Sequence, residues 1–587
     1  MKNRSISQRC RTLRLAVYTM AVPSLCFAVA ATVHSQTLTT LHSFNGTDGQ
    51  FPSTALVKSR PVQHSNGNFY GTTPLGGANG GGTVFQVTPA GAETTLYNFC
   101  SIGGSACTDG SNPQASLVAG SDGNLYGTTY NGGAHGAGTV FKISTSGALT
   151  TLYSFGSKAN NVDGANPFGA LVQGRDGNLY GTAFTGGANN DGTAFVITCG
   201  GSLTTLHSFT GPDGVNPEGD LVQSNANGNL FGVTLAGGNS NGAGTLFQMT
   251  TSGALTTLYT FCSKTNCNDG SAPNVPLAQD GFGDFYGTTS ANGANAGGTL
   301  FVYTWWGGLH TIYHFCAKTG CTDGALPVGG PVVAGDFNVY GTTTFGGANN
   351  SGTVYQFTPW HQLTTLYSFC SKGGSACTDG SSPESSLIQG KDGNFYGTTA
   401  FGGTYNDGTA YNLSTLPPAG NACNGVYSGN FVGNLYISSG QSCEFTDGAT
   451  IFGNVYEAGG SLTLTNATVL GNVEIQGGTY SLGPTLTIAS KLEVENVPAG
   501  STQNTICGLN VFGSLYYDGN ASPAEIGSSS GSCPGNSIGG DLEVNSNSAL
   551  VQVFENSIHD ALICSGNTSL TGGGNSTRQK QGQCSSF

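Results

Sequence analysis

All three tryptophans of the chain lie in two short stretches, TWWG at 304–307 and PWHQ at 359–362. Aromatic rings stack well on flat apolar partners, including sugar rings, and an exposed ring in a turn gains little from folding. A carbohydrate or protein contact is therefore predicted here, the alternative being that the rings pack over the fold's edge or onto the C-terminal module. The candidate ligand-binding residues are Trp305, Trp306, Trp360 and His361.

Carboxylates provide the chemistry for a second hypothesis, a glycan-active hydrolase or lyase. Glu218, Asp220 and Glu384 are its first candidates, because glycosidases use two carboxylates about 5 to 5.5 Å or about 6.5 to 9.5 Å apart. No arginine occurs between Arg175 and Arg578, which removes the cationic clamp expected of sialidase-like or pectate-lyase-like sites. We therefore favour a binding protein over an enzyme, and assign no catalytic residue, metal ion or cofactor.

Eight cysteines form four close pairs, each in a loop after a strand-like segment. The first cysteine directly follows a Phe, the second lies two residues before an Asp-Gly, and the short loops of this kind contain no cysteine. We predict local disulfides worth about 2 to 3 kcal/mol each; metal binding is the weaker interpretation, because His partners at zinc-like spacing are missing. The pairs are Cys100 with Cys107, Cys262 with Cys267, Cys316 with Cys321, and Cys370 with Cys377.

The Asp-Gly that ends this loop recurs seven times. A sevenfold acidic ring would fit calcium binding or catalysis, but a residue repeated identically cannot define one asymmetric site. Asp accepts backbone hydrogen bonds and Gly adopts tight turns, so we interpret these pairs as structural turns. The aspartates are Asp48, Asp109, Asp163, Asp213, Asp269, Asp323 and Asp379.

These residues recur because the chain repeats one unit with a period near 54 residues. Each unit has four segments rich in β-branched and aromatic residues, which we name a to d. In the second unit they are ASLVAG (115–120), NLYGTTY (124–130), GTVFKIS (138–144) and LTTLYSF (149–155). Four strands at this period predict a β-propeller blade. The central aromatic of segment b is found at Tyr70, Tyr126, Tyr180, Phe231, Tyr286, Tyr340 and Tyr396.

The ends of the repeat predict how the ring closes. The chain begins with a d segment, LTTLHSF (38–44), and the seventh unit ends on a c segment, GTAYNLS (408–414). The N-terminal strand should therefore complete the last blade, because an open ring would expose two unpaired strand edges. The sequence predicts an all-β fold whose main part is a closed seven-bladed propeller.

The combination of TTLYSF (150–155), DGNLYGTT (122–129) and GGA followed by GTVF (132–134, 138–141) resembles the GloVer tandem repeat of bacterial exported proteins. The resemblance covers about residues 37–415, and seven copies agree. It implies a secreted or surface protein of unassigned activity. The departure is at the C-terminus, where no familiar anchor is found.

Residues 1–35 are typical of an export signal, since five basic residues precede an apolar run that ends near small residues. Removing them leaves 12 basic against 31 acidic residues, a net charge of −19. Nucleic acid and anionic membranes are therefore disfavoured partners. We expect an extracellular or cell-surface protein with no membrane span after cleavage; the sequence leaves its oligomeric state open.

After residue 415 the pattern changes to short segments such as GNLYI (433–437), GNVYE (453–457) and GNVEI (471–475). Steps of 20 and 18 residues are close to one turn of a parallel β-helix. This part resembles the right-handed β-helix of adhesins and polysaccharide-active proteins, without their catalytic residues. Cys423, Cys443, Cys507, Cys533, Cys564 and Cys584 allow up to three disulfides, and Cys199 is left over. The predicted organisation is a signal peptide (1–35), a propeller (36–415), a linker (416–422) and a cysteine-containing β-helix-like module (423–587).

Overall fold

The computed structural model describes most of the chain after the predicted export signal, which lies outside the described residues. No helix in the described part is long and apolar enough to span a membrane. The described ranges are 36–52, 61–64, 66–225, 227–280, 283–334, 338–359, 361–390, 392–414, 423, 425–432, 435–500, 504–528 and 534–587.

Seven antiparallel sheets, each with strands a to d in spatial order, form the propeller blades. Blades 1 and 2 contain β2 (Val62–Gln63), β3 (Phe69–Thr73), β4 (Thr83–Val87), β5 (Glu93–Asn98), β6 (Val118–Ala119), β7 (Leu125–Thr129), β8 (Thr139–Ile143) and β9 (Leu149–Ser154). Blades 3 and 4 contain β10 (Ala165–Pro167), β11 (Val172–Gln173), β12 (Leu179–Thr185), β13 (Thr193–Ile197), β14 (Leu203–Ser208), β15 (Val222–Gln223), β16 (Leu230–Thr234), β17 (Thr245–Met249) and β18 (Leu255–Thr260). The added strand β10 makes blade 3 five-stranded.

Blades 5 to 7 repeat this arrangement. Their strands are β19 (Ala278–Gln279), β20 (Phe285–Thr289), β21 (Thr299–Thr304), β22 (Gly308–His314), β23 (Val332–Val333), β24 (Val339–Thr343), β25 (Thr353–Phe357), β26 (Leu363–Ser368), β27 (Ile388–Gln389), β28 (Phe395–Thr399) and β29 (Thr409–Ser414). Five loops from strand d to the next strand a contain a single 3₁₀ turn, at Gly104–Ala106, Ala159–Asn161, Thr265–Cys267, Thr319–Cys321 and Gly374–Ala376.

Strand β1 (Thr37–Ser43) closes the ring as the d strand of blade 7. It pairs antiparallel with β29, from Thr37 opposite Ser414 to Ser43 opposite Thr409. A β-bulge interrupts this register between Thr40 and His42, and the c–d pairs of the other six blades carry a register shift at the same place. The predicted seven-bladed, head-to-tail closed propeller is therefore confirmed.

Apolar side chains between neighbouring blades form the core of the ring. Seven separate clusters of buried residues each combine residues of one blade with residues of the next. The last cluster places Phe44 and Ala410, from the closing blade, against Phe85 and Val87 of blade 1. Closure of the ring therefore completes the apolar contacts of the first and the last blade.

The C-terminal part is a parallel β-solenoid of about eight turns, as predicted from its repeats. One sheet of eight strands contains β31 (Leu435–Ser438), β33 (Val455–Ala458), β36 (Val473–Gln476), β39 (Leu492–Glu495), β42 (Leu515–Asp518), β45 (Leu542–Asn545), β48 (Ala561–Ser565) and β50 (Gln579–Gly582). The second sheet contains β30 (Gly425–Val432), β32 (Ser442–Phe452), β34 (Ser461–Leu464), β35 (Thr468–Val469), β37 (Thr479–Leu482), β38 (Thr487–Ile488), β40 (Asn504–Ile506), β41 (Asn510–Val511), β43 (Ala524–Gly527), β44 (Ser537–Ile538), β46 (Leu550–Phe554), β47 (Ser557–Ile558) and β49 (Ser569–Gly573).

Aliphatic residues and an asparagine ladder hold the solenoid together. Alternate residues of each strand point inward and form one continuous apolar core. At one corner Asn547 donates to Asn567 Oδ1 at 2.8 Å, and Asn567 donates to Gln583 Oε1 at 3.0 Å. A second ladder runs from Asn536 through Asn556 to Asn575. The ladders satisfy buried polar groups where the backbone turns between faces.

Candidate functional site

The seven Asp-Gly aspartates each bind the d strand that precedes them. Their carboxylates accept a hydrogen bond from a Tyr hydroxyl in five blades, and pair with a His ring nitrogen in the other two, at 2.7 to 2.9 Å. They also accept backbone N–H groups from the loop, as Asp269 does from Ser263 and Lys264. Burial raises the pKa of Asp269, but these hydrogen bonds and the one from Tyr259 have the larger, opposite effect. The pKa of Asp269 is therefore below the ordinary value of an aspartate. Such bonding fits the predicted role as structural turns.

Disulfides close four of the five longer loops after strand d; the fifth, between Phe155 and Asp163, has no cysteine. The structure joins Cys100 to Cys107, Cys262 to Cys267, Cys316 to Cys321, and Cys370 to Cys377. The solenoid adds Cys423–Cys443 and Cys564–Cys584, giving six described disulfides. Cys507 is also disulfide-bonded, whereas Cys533 lies outside the described residues and Cys199 is free and exposed. Disulfides at this density are typical of proteins in oxidising compartments.

The c–d turn of blade 5 presents two tryptophans side by side. Trp305 is 43% exposed, and its indole N–H donates to Gly283 O at 3.1 Å in the a–b turn of the same blade. Its ring packs edge-to-face on Phe231 of blade 4 at 5.4 Å. Trp306 is 73% exposed, the largest exposed fraction among the described large apolar residues. Trp305 is therefore held in place with 43% of its surface exposed, and Trp306 beside it is mostly exposed to solvent.

The equivalent turn of blade 6 is only partly described. Trp360 lies outside the described residues. His361 is exposed, adopts a positive φ of 62°, and lies with its ring 5.9 Å from that of Phe357 in its own blade. A predicted site that spans both turns therefore stays a prediction, and its described members are His361 in blade 6 and, in blade 5, Trp305 and Trp306, which we call the indole pair.

The three candidate carboxylates lie in the segments that lead into strands a. Asp220 Oδ1 accepts the backbone N–H of Ala170 in blade 3 at 2.7 Å, so this carboxylate joins two blades. Glu218 and Glu384 are 3% and 5% exposed. Burial raises the pKa of Glu384 to about 8, so this side chain is largely protonated at neutral pH.

Glu218 and Glu384 belong to a set of equivalent residues in the blades that the sequence alone did not reveal. In each blade one residue directly follows the proline before strand a, and all of its described members are buried. We call this set the proline-following ring; its described members are Gln114, Phe168, Glu218, Asn274, Val328 and Glu384. Gln114 Oε1 and Asn274 Oδ1 have no hydrogen-bond partner among the described residues. The proline that recurs before each strand a is the sequence signal that identifies this ring of polar and apolar residues.

A face of the propeller near blade 7 lies against the solenoid. Tyr436 and Tyr456 stack with ring centroids 4.9 Å apart on the first two solenoid turns. A Cβ atom on Gly393, in the a–b turn of blade 7, would lie 3.0 Å from Tyr436 Oη. Because c–d turns occupy the same face as a–b turns, the indole pair of blade 5 lies on the face that carries this contact.

Fold and disulfides together define an all-β repeat protein with a closed propeller and a β-solenoid. The Gloeobacter/Verrucomicrobia repeat family model matches residues 27–174 and 157–333, and the chain belongs to this family. The predicted resemblance is therefore confirmed. No curated protein matches the chain.

Several solved structures show a distant likeness. A periplasmic gluconolactonase from Pseudomonas aeruginosa is 16% identical, with 53% of this chain and 84% of that chain covered and a TM-score of 0.37. The PQQ-bound aldose sugar dehydrogenase from Streptomyces coelicolor is 12% identical, with 65% and 98% covered and a TM-score of 0.32. A luciferin-regenerating enzyme is 9% identical, with 65% and 96% covered and a TM-score of 0.33. None of these values assigns an activity to the chain.

Proposed function

We propose that this protein is an exported carbohydrate-binding protein, in which the propeller is a rigid platform and the indole pair Trp305–Trp306 contacts the ligand. The observation that carries this proposal is the anchoring of Trp305. Its ring is held by Gly283 O and by Phe231 while it stays partly exposed, so less side-chain entropy is lost when a ligand binds. Trp306 adds a second exposed aromatic surface in the same turn.

A sugar ring is the ligand chemistry that this surface fits best. Pyranose rings have apolar C–H faces that pack on aromatic rings, while their hydroxyl groups remain hydrated. The mature chain carries a net charge of −19 once residues 1–35 are removed. Neutral glycans are therefore better partners than polyanionic ones, which this charge would repel.

Export is part of the same proposal. Six described disulfides require an oxidising compartment to form. The basic and apolar pattern of residues 1–35 would direct the chain to such a compartment.

A glycan array with the purified protein tests the binding function. Trp306→Ala removes the more exposed indole, and Trp305→Phe keeps an aromatic ring but loses the hydrogen bond to Gly283 O. We expect at least a tenfold loss of affinity for Trp306→Ala and a smaller loss for Trp305→Phe. The matched control is Tyr405→Ala, which removes a 61% exposed aromatic from a b–c loop on the other face. Glycan binding that survives in Trp306→Ala, or is lost equally in Tyr405→Ala, would contradict the assigned site.

A second candidate function, glycan cleavage, is favoured by the raised pKa of Glu384. A carboxyl group with a pKa of about 8 remains protonated at neutral pH and is suited to general-acid catalysis. The test is the release of reducing ends from any glycan that the array identifies. Cleavage that disappears in Glu384→Gln while binding is retained would favour the enzyme, and binding without cleavage would favour the binding protein.

A further inference from the structure

Three potential metal ligands meet at the seam where blade 7 closes on blade 1. They are His42 in β1, Asp48 in the following loop, and Glu93 at the start of β5, and one ligand atom from each lies within 4.8 Å of the other two. His42 Nε2 lies 2.9 Å from Asp48 Oδ2. All three residues are only partly buried or lie at the edge of burial, so the group is accessible to ions from solvent.

Neighbouring groups orient each of these side chains. Asp48 Oδ1 accepts the backbone N–H of Asn45 at 2.9 Å, which leaves Oδ2 directed to His42. Glu93 Oε1 accepts the hydroxyl of Thr95 at 3.1 Å, which leaves the other oxygen available. The His42 ring packs edge-on against Phe44 at 4.9 Å. Hydrogen bonds and packing of this kind around potential ligands are the support that metal sites require.

Comparison of the seven blades shows that this combination is particular to the seam. The strand registers place His42 where five blades have Tyr and blade 3 has His207. The same registers place Glu93 where the other six blades have leucine: Leu38, Leu149, Leu203, Leu255, Leu309 and Leu363. At this seam an imidazole nitrogen therefore takes the place of a tyrosine hydroxyl, and a carboxylate takes the place of an apolar leucine.

Blade 3 provides an internal comparison. His207 Nε2 lies 2.8 Å from Asp213 Oδ2, as in the His42–Asp48 pair. The residue of blade 4 that corresponds to Glu93 is Leu255, which packs in the apolar cluster between blades 3 and 4. The fold thus tolerates a His–Asp pair without a third ligand, and the added glutamate at the seam has no counterpart there.

We propose that His42, Asp48 and Glu93 form a binding site for a divalent transition-metal cation of the Zn²⁺ type. One imidazole nitrogen and two carboxylate oxygens are ligands that Zn²⁺ accepts, and water would complete the coordination. With a neutral imidazole the three side chains carry a formal charge of −2, which a divalent cation compensates. Hard cations such as Mg²⁺ prefer all-oxygen sites and should bind more weakly.

The site would link ring closure to metal binding. His42 belongs to the strand that completes blade 7, and Glu93 belongs to blade 1, so a bound cation would join the two ends of the ring. A ligand that binds only the folded state stabilises it by mass action. The cation would therefore hold strand β1 of blade 7 to blade 1, independently of any ligand at the indole pair.

Two experiments test this proposal. The first is thermal unfolding of the chelator-treated protein with added Zn²⁺ or Mg²⁺, and the second is titration with Zn²⁺ in competition with a chromophoric chelator. We expect about one Zn²⁺ per chain, a rise in Tm of several degrees, and a much smaller effect of Mg²⁺. Glu93→Leu and His42→Tyr restore residues found at equivalent positions in other blades, so both should fold. Each should lose the Tm rise and lower the Zn²⁺ affinity at least tenfold.

Two further variants make the result specific. His207→Tyr removes the histidine of the blade 3 pair and should leave the Zn²⁺ response unchanged. Cys199→Ser removes the exposed free thiol, which can itself bind Zn²⁺, and should also leave the Tm rise unchanged. The proposal is overturned if Zn²⁺ does not stabilise the protein, if Mg²⁺ stabilises it equally, or if the Tm rise persists in Glu93→Leu.

Discussion

Leu38, in the first described strand, lies directly opposite Leu413 in the last strand of blade 7, and both side chains are buried. The two residues share an apolar cluster with Phe395 and with Tyr340 of blade 6. This pair therefore contributes to ring closure and to the contact between blades 6 and 7. The N-terminal strand is a structural part of the propeller and not an appendage.

Leu38→Ala should destabilise the whole protein. Truncation of a buried leucine costs about 2 to 5 kcal/mol, because it leaves a cavity as well as losing apolar burial. Denaturant unfolding measures the change in the free energy of unfolding, with variant and wild type compared at the same m-value. Thr39→Ala, at the adjacent exposed position of the same strand, is the control and should change stability by less than about 0.5 kcal/mol. Equal stability of the two variants would mean that β1 does not close the ring.

The repeat pattern predicts the blades, because their strands follow from the local alternation of side chains. It predicts ring closure, because closure follows from the number and order of the strands. It overestimates strand a: the segment 115–120 reads as one strand, but only Val118–Ala119 pair with strand b. The residues before this pair contact the preceding blade instead, as Ala115 O does when it accepts the hydroxyl of Thr72 in blade 1 at 3.0 Å. Sequence alternation cannot distinguish burial between blades from burial within a sheet.

The candidate site is less predictable than the fold. The exposure of Trp306 follows from its place in a turn, but the anchoring of Trp305 on Phe231 depends on how two blades pack. The group of His42 and Glu93 requires the register of two outer strands on different blades, and a search for cysteine–histidine spacing does not reveal it. Solenoid turns lengthen where loops are inserted, which hides the repeat beyond residue 495.

Asn547→Ala should destabilise the solenoid strongly. The Asn547 side chain donates to Asn567 Oδ1 and Tyr517 O and accepts the backbone N–H of Asn520, all in a buried position. Its removal takes this buried partner from Tyr517 O and from the Asn520 N–H, whereas Asn567 Oδ1 keeps the backbone N–H of residue 547, so the cost is about 2 kcal/mol or more. Urea unfolding followed by circular dichroism measures the loss. Ser548→Ala, at the next, exposed residue, should have little effect, and comparable losses would argue against the ladder's importance.

Replacing both Cys262 and Cys267 by Ser should lower stability modestly without preventing folding. The disulfide closes a short loop, so its loss costs about 2 kcal/mol. The loop of blade 2 between Phe155 and Asp163 has the same length and no cysteine, and Asp163 accepts the equivalent backbone N–H groups from Ser157 and Lys158, so the fold can form this connection without a disulfide. The change in Tm is measured against Cys199→Ser, which should leave Tm unchanged. A double variant that fails to fold would show that the disulfide is needed to form the loop.

Glu384→Gln should weaken the dependence of stability on pH. Burial raises the pKa of Glu384 to about 8 in the folded protein, above its ordinary value near 4.5. Its contribution is therefore fully present below about pH 4.5 and is lost as pH rises through about 8, at up to about 1.4 kcal/mol per pH unit. The glutamine remains neutral throughout, so the variant should become more stable relative to the wild type as pH rises from 5 to 8.

Asp176→Asn is the control for this pH effect. Burial raises the pKa of Asp176, but hydrogen bonds from Asn178 and Tyr180 lower it more, so the contribution of Asp176 to stability is lost only in acid. The effect of Asp176→Asn should therefore be constant from pH 5 to 8. Part of the pH dependence should persist in Glu384→Gln, because burial also raises the pKa of Glu457 in the solenoid to about 7. Unfolding midpoints of the three proteins at pH 5, 6, 7 and 8 measure the slopes, and an unchanged slope in Glu384→Gln would show that this carboxyl group ionises as readily in the folded as in the unfolded chain.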